Sequence, residues 1–95
     1  MAVQTKAWDV AAHLDSDEAI VAYIDAAMED GDPALIAAAL GDVARARGMS
    51  FVARSAGMSR ESLYRALSPE GNPEFGTIVR VMKALGLRLS AASVS

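Results

Sequence analysis

The sequence predicts an all-α domain, a compact bundle of five short helices. Alanine supplies 20 of the 95 residues, and this residue favours helix at little entropic cost while burying little surface. Apolar residues recur at three- and four-residue spacing in several segments. Glycine, proline and capping residues interrupt those segments at short intervals. Because so short a chain buries a limited fraction of its surface, we expect it to associate with a partner or with itself.

The first predicted helix follows an apolar lead-in at residues 8–14. Asp15 is placed to cap it, with Glu18 three residues later in capping-box spacing. Gly31 is expected to end it as a C-terminal cap. Helical spacing predicts one inward face, comprising Ile20, Tyr23, Ile24, Ala27 and Met28.

The second helix is predicted to start at once, with Asp32 as its cap and Pro33 at its first position. Gly48 is expected to stop it. Its predicted buried face comprises Leu35, Ile36, Ala39, Leu40, Val43 and Ala44.

Two shorter helices are predicted next. Ser50 caps the first, at about 51–56, which Gly57 ends, and Ser59 caps the second, at about 60–67. The composition of residues 68–74 indicates a loop.

A fifth helix is predicted after Pro73, ending at Gly86. Beyond it, Leu87 and Leu89 alternate with polar residues, which favours a short C-terminal strand or an arm. The predicted inner face of the fifth helix comprises Phe75, Ile78, Val79, Met82 and Leu85.

The predicted organisation is a disordered tail at 1–7, one domain at 8–90 and a second tail at 91–95. The net charge of −3 conceals an asymmetry: residues 1–44 carry −8 and residues 45–95 carry +5. The distribution of charge matters more for recognition than its sum, so the two halves are expected to face different kinds of partner.

Several classes of function have no support in the composition. The chain has no cysteine and one histidine, His13, so neither a disulfide nor a zinc site is expected. No carboxylate is paired with a catalytic set, so we expect no enzyme and no cofactor. No apolar run approaches the length of a membrane span and no signal peptide is evident, so a cytoplasmic protein without membrane contact is expected.

Residues 49–68, MSFVARSAGMSRESLYRALS, fit a helix-turn-helix pattern. Ala53 is small where the second helix crosses the first, and Gly57, four places later, suits a positive φ angle. Met58 is apolar where the angle between the helices needs filling. Leu63, with Ala66 or Leu67, is placed to pack the second helix against the rest of the domain.

The outward face of that second helix is predicted to contact DNA. Arg60 and Arg65 can donate paired hydrogen bonds to guanine or hold phosphates, and Glu61 can accept from a cytosine amino group. Ser59 and Tyr64 can reach phosphate oxygens. Neighbouring arginines would add electrostatic attraction that does not depend on the DNA sequence. Arg54 is predicted to contact the DNA, and Arg45 and Arg47 are predicted to support binding to its backbone.

Each assignment has a plainer alternative. Arg45 and Arg47 lie in the last turn of a helix, where cations favour the helix dipole. Arg54, Arg60, Tyr64 and Arg65 can form a solvated or salt-bridged surface. Glu61 can pair with Arg65 four residues later, and Ser59 is a cap in either case.

Three segments carry a family resemblance: ALGDVARARGMS, LYRALSPEGNP and VMKALGLRL. Over about residues 8–90 the chain resembles the addiction-module antidote proteins, HigA-like antitoxins of type II toxin–antitoxin systems with a Cro/XRE-type (lambda-repressor-like) helix-turn-helix. The resemblance implies an all-α homodimer, a RelE/ParE-like toxin as partner and repression of the operon through an operator in its own promoter. It adds Ser50 to the expected DNA contacts.

One position departs from the family pattern. Cro-type members commonly have glutamine after the residue equivalent to Ser50, where this chain has Phe51. Phe51 is therefore expected either to pack on a neighbour or to meet sugar carbons. It is also one candidate for the dimer surface, and the fifth helix with Leu87 and Leu89 is another.

The acidic half offers a surface for the toxin. Residues 15–32 carry seven acids and no base, and a toxin that binds RNA is expected to be basic. The plainer alternative is a solvated helix face. The candidate toxin contacts are Trp8, Tyr23, Ile24, Asp25, Glu29 and Asp30.

Two other functions stay open on the sequence alone. The chain can be a stand-alone helix-turn-helix transcriptional regulator without a toxin. It can also be a protein-interaction module that keeps the fold without binding DNA, for which the isoelectric point near 4.9 and Phe51 are the support.

Overall fold

The computed structural model describes residues 14–94, and this part of the chain folds as five helices without a strand. The all-α prediction is confirmed. The helices are α1 (Asp17–Asp30), α2 (Pro33–Arg47), α3 (Met49–Ala56), α4 (Arg60–Ala66) and α5 (Phe75–Ala84).

Capping side chains that accept hydrogen bonds from backbone N–H groups mark the start of the first two helices. The Ser16 hydroxyl oxygen accepts from the backbone N–H of Ala19 at 3.1 Å, and the Asp32 carboxylate accepts from that of Ala34 at 3.0 Å. The prediction that Asp15 caps α1 is therefore wrong by one residue. Ser16 has an extended backbone, with φ −138° and ψ 158°, which is the conformation that lets a capping side chain reach the amides of the first turn.

Gly48 joins α2 directly to α3. Its N–H donates to the carbonyl of Ala44 at 2.8 Å, while its own carbonyl accepts from Val52. Gly48 thus ends one helix and begins the next, and α3 starts at Met49 without a side-chain cap. The prediction that Ser50 is a cap is wrong, because Ser50 already lies inside the first turn of α3.

The core gathers around α3, which packs against α2, α4 and α5, while α1 packs against α2. Small residues, such as Ala44 on α2 and Ala53 on α3, are buried and allow close approach of the helices. The largest fully buried side chains are Ile20, Leu40, Val43, Val52, Leu63 and Val81.

Two side chains predicted to face the core lie at the surface instead. Leu35 is 45% exposed and Phe75 is 73% exposed, and both are in the first turn of their helix, beyond the packed part of the bundle. Val81, which the sequence pattern missed, is fully buried. Val79, which was predicted on the inner face, is not part of the core cluster. The side of α5 that packs inward is Ile78, Val81 and Met82, followed by the buried Leu85 at its C-cap.

The chain after α5 is irregular. Residues 87–94 form neither helix nor strand, so of the two predicted alternatives, a short strand or an arm, the strand is wrong. Leu87 packs partly buried against the core and its N–H donates to the carbonyl of Met82 at 2.8 Å. That bond closes the turn that follows α5.

Candidate nucleic-acid interface

A tight turn at residues 57–59 sets the angle between α3 and α4. Gly57 has φ +73°, a region that residues with a β-carbon adopt at a cost. The N–H of Met58 then donates to the carbonyl of Ala53 at 2.9 Å, and its side chain packs against the core. The turn leaves α3 in the bundle and directs α4 along its surface.

One face of α4 is anchored in the core. Ser59 caps the helix, accepting from the N–H of Ser62 at 3.0 Å, as predicted. Leu63 is fully buried and Leu67 is 4% exposed. Since buried residues at this spacing lie on one side of a helix, the opposite side faces solvent.

The solvent side of α4 carries the predicted DNA contacts together. Arg60, Glu61, Tyr64 and Arg65 line one open depression, and Tyr64 is 52% exposed. Within residues 14–94, neither arginine forms an ion pair, and the pairing of Glu61 with Arg65 does not form. Two guanidinium groups and a phenol are thus open to a ligand on one short helix.

The contacts predicted on α3 are also at the surface. Ser50 and Arg54 are exposed, and Phe51 is 54% exposed. Phe51 consequently does not fill the core of this chain, and its ring offers apolar surface next to Ser50.

Arg45 and Arg47 differ from the arginines of α4 because each forms an ion pair with an aspartate of the same chain. A guanidinium nitrogen of Arg45 lies 2.5 Å from Asp42, and one of Arg47 lies 2.7 Å from Asp17. The second pair joins the end of α2 to the start of α1. These ion pairs reduce the positive charge that the two arginines present to a ligand.

Loop residue Gly71 supports the far end of α4, a role that the sequence reasoning missed. A β-carbon at Gly71 would lie 2.3 Å from the carbonyl oxygen of Arg65 and 2.5 Å from that of Ala66. Only glycine fits this approach, which brings the loop onto the last turn of α4. The composition of residues 68–74 predicted a loop but did not indicate which part of the fold Gly71 contacts.

The acidic face of α1 is only partly as predicted. Asp25, Glu29 and Asp30 are exposed. Ile24, however, is 4% exposed and belongs to the core, so it offers no surface to a partner. Trp8, His13 and the tail that the sequence predicts at 1–7 lie outside the described residues.

Tyr23, another predicted toxin contact, is engaged within the chain. Its hydroxyl donates to Asp42. Partial burial, the hydrogen bond to Asp42 and the negative charge of Asp42 raise the pKa of Tyr23 to about 12, against an opposing effect of Arg45. The sequence reasoning missed Asp42, although its place three residues before Arg45 on α2 was a signal for a helical ion pair.

Two further findings concern residues 14–94 as a whole. No three histidine or acidic side chains there are grouped closely enough to hold a metal ion. Every helix in the same range is too short or too polar to span a bilayer.

Comparison with known proteins places the chain in a family. A family model described as "Probable addiction module antidote protein" matches residues 4–93. An uncharacterized protein of Haemophilus influenzae is 53% identical over 88 residues, which cover 93% of this chain and 91% of that protein. No solved structure matches significantly. The chain belongs to the family of probable addiction module antidote proteins.

Proposed function

We propose that this chain is a sequence-specific DNA-binding antitoxin that neutralises a RelE/ParE-like toxin and represses the operon encoding both. The observation that carries the DNA-binding part is the solvent face of α4, where Arg60, Tyr64 and Arg65 lie together without an ion pair inside the described chain. The family carries the antitoxin part.

The helix pair α3 and α4 would dock as a helix-turn-helix, with the N-terminus of α4 entering the major groove. Arg60 lies in the first turn of α4 and would read base edges, while Arg65, one turn later, would read a base or hold a phosphate. Ser59, at the start of the helix, and Ser50 and Arg54 on α3 would contact the DNA backbone. Glu61 would accept a hydrogen bond from a cytosine.

A homodimer would present two copies of α4 to half-sites about 34 Å apart, in successive major grooves. Arg45 and Arg47 would add less to the binding than the arginines of α4, because acids of the same chain already pair with them.

The test of DNA binding is an affinity measurement on the promoter fragment of the protein's own operon, made at several salt concentrations. We expect specific binding that weakens steeply with salt. Replacing Arg60 or Arg65 by alanine should cost about 1–3 kcal/mol of binding free energy where the side chain reads a base. Arg80→Ala is the matched control, since Arg80 is exposed on α5 and does not line the depression on α4. Binding no tighter than to unrelated DNA would refute the proposal and favour a pure protein-interaction module.

The toxin would meet the acidic face of α1. Asp25, Glu29 and Asp30 are exposed and form no ion pair within residues 14–94, so they can attract a basic protein. Tyr23 and Trp8 remain proposed contacts.

This contact is tested with the triple variant D25N/E29Q/D30N. At low salt it should bind the toxin more weakly than the wild type, whereas Arg60→Ala should bind the toxin normally. If the triple variant binds with unchanged affinity at low salt, the acidic face is only a solvated surface.

A further inference from the structure

An apolar groove lies on the side of the molecule where α1 ends and α5 begins. Its wall is formed by Met28, Ile36, Phe75, Ile78 and Leu89, and its volume is about 510 Å³. Phe75, at the first position of α5, leaves 73% of its surface exposed there. A phenylalanine this exposed contributes little to the core, which is the property expected of a residue that buries surface against a partner.

The charges of the groove have one sign. The ionisable side chains that line it are Asp32, at the start of α2, and Glu70, in the loop before α5. Met28 on its wall is in the last turn of α1, the turn that also carries the exposed Glu29 and Asp30. Lys83 and Arg88 do not line the groove but a neighbouring depression that shares Phe75 and Leu89 with it. An apolar segment flanked by lysine or arginine therefore complements this groove in both hydrophobicity and charge.

We infer that this groove is the main docking site of the toxin, occupied by a segment with apolar side chains and flanking basic residues. The inference rests on the proposed antitoxin function and adds the apolar anchor that the acidic face of α1 lacks. Phe75 contributes the apolar contact, and Asp32 and Glu70 hold the flanking cations. The groove lies next to the end of α1, so the same partner can contact the acidic face of α1 and the groove together.

A second copy of this chain fits the groove less well. Most homodimers use the same surface on both subunits. Around a two-fold axis at the groove, Asp32 and Glu70 would face the same two acids, and like charges across an interface oppose binding. The basic partner has no such conflict.

The test uses the toxin as the product of the adjoining gene, co-expressed and then titrated against purified variants of the full chain. Phe75→Ala should weaken toxin binding by about tenfold or more at both low and high salt, because the lost contact is apolar. The control is Phe51→Ala, which removes the other phenylalanine of the chain, also more than half exposed at 54%, from α3. It should bind the toxin as the wild type does.

Charge is tested separately. Glu70→Lys reverses a charge in an exposed loop, and Asp32→Asn removes one while keeping a residue that can cap α2. Each should weaken binding severalfold at low salt and much less at high salt. Unfolding midpoints within experimental error of the wild type will show that the variants are folded.

The outcomes separate this inference from the function on which it rests. If the wild type binds the toxin but Phe75→Ala and Glu70→Lys bind equally well, the groove is overturned as the docking site and the antitoxin function stands. If Phe75→Ala changes only self-association, measured by sedimentation, the groove is a dimer surface and the inference fails. If the wild type does not bind the toxin, both proposals fall.

Discussion

The hydroxyl of Tyr23 on α1 donates a hydrogen bond to Asp42 on α2, with 2.5 Å between the two oxygens. The second oxygen of Asp42 accepts from Arg45. One carboxylate thus ties the two longest helices of the described chain together at the edge of the core.

Removing the hydroxyl should destabilise the protein. In Tyr23→Phe the ring keeps its packing but Asp42 loses a partner, so we expect the free energy of unfolding to fall by about 1–2 kcal/mol, since hydrogen bonds to charged groups are the stronger ones. Urea denaturation measures this directly. Tyr64→Phe is the control, because no hydrogen bond holds that hydroxyl within residues 14–94; an equal loss in both variants would contradict the role of Asp42.

The same contact should make stability depend on alkaline pH. The pKa of Tyr23 is raised from 10.0 to about 12 in the folded chain, so folding favours the protonated phenol. This contribution is complete below pH 10 and is lost as the pH rises towards 12. We expect the stability difference between the wild type and Tyr23→Phe to shrink over that interval.

The titration itself can be followed by the ultraviolet absorbance of tyrosinate in a Tyr64→Phe background, where Tyr23 is the remaining tyrosine. Adding Asp42→Asn removes the negative charge and should lower the midpoint. A midpoint that Asp42→Asn leaves unchanged would mean that burial alone raises the pKa.

The turn between α3 and α4 should be intolerant of a β-carbon. Gly57→Ala places alanine at φ +73°, and we expect a loss of about 1–2 kcal/mol in unfolding free energy. Gly76→Ala is a matched control, because Gly76 lies inside α5 and a β-carbon there meets no atom within 4 Å. It should be neutral or stabilise by up to about 1 kcal/mol. Similar effects at the two glycines would show that the turn is not strained by a side chain.

Adjacent residues on α4 should separate stability from DNA binding. Leu63 is fully buried and Tyr64 is 52% exposed. We expect Leu63→Ala to cost about 2–5 kcal/mol of stability, and Tyr64→Ala to change stability by no more than about 0.5 kcal/mol while weakening binding to the promoter fragment. Thermal unfolding and a gel-shift assay measure the two effects. A Tyr64→Ala variant that unfolds easily and binds DNA normally would reverse the roles given to these two residues.

Local chemistry determined which segments form helices and where most of them end. Each of these signals acts locally. The caps Asp32, which precedes Pro33, and Ser59 bind backbone amides two or three residues away, and Gly57 acts through its own backbone angle. Their roles could therefore be predicted from the sequence. Helical spacing places Glu61 and Arg65 opposite Leu63 and Leu67, so these two outward positions were predictable for the same reason. Arg60, three residues before Leu63, falls on the side of the leucines, and only the structure shows that it is exposed at the first position of α4.

Only the tertiary structure decided which surfaces the helices leave open. Arg47 looks like a free cation in the sequence, but Asp17, thirty residues away, meets it only once α1 lies against α2. Phe75 continues the apolar spacing of α5, yet it remains exposed because the bundle ends before it. Periodicity tells which side of a helix is apolar, whereas the length and placement of its neighbours determine how much of that side is covered.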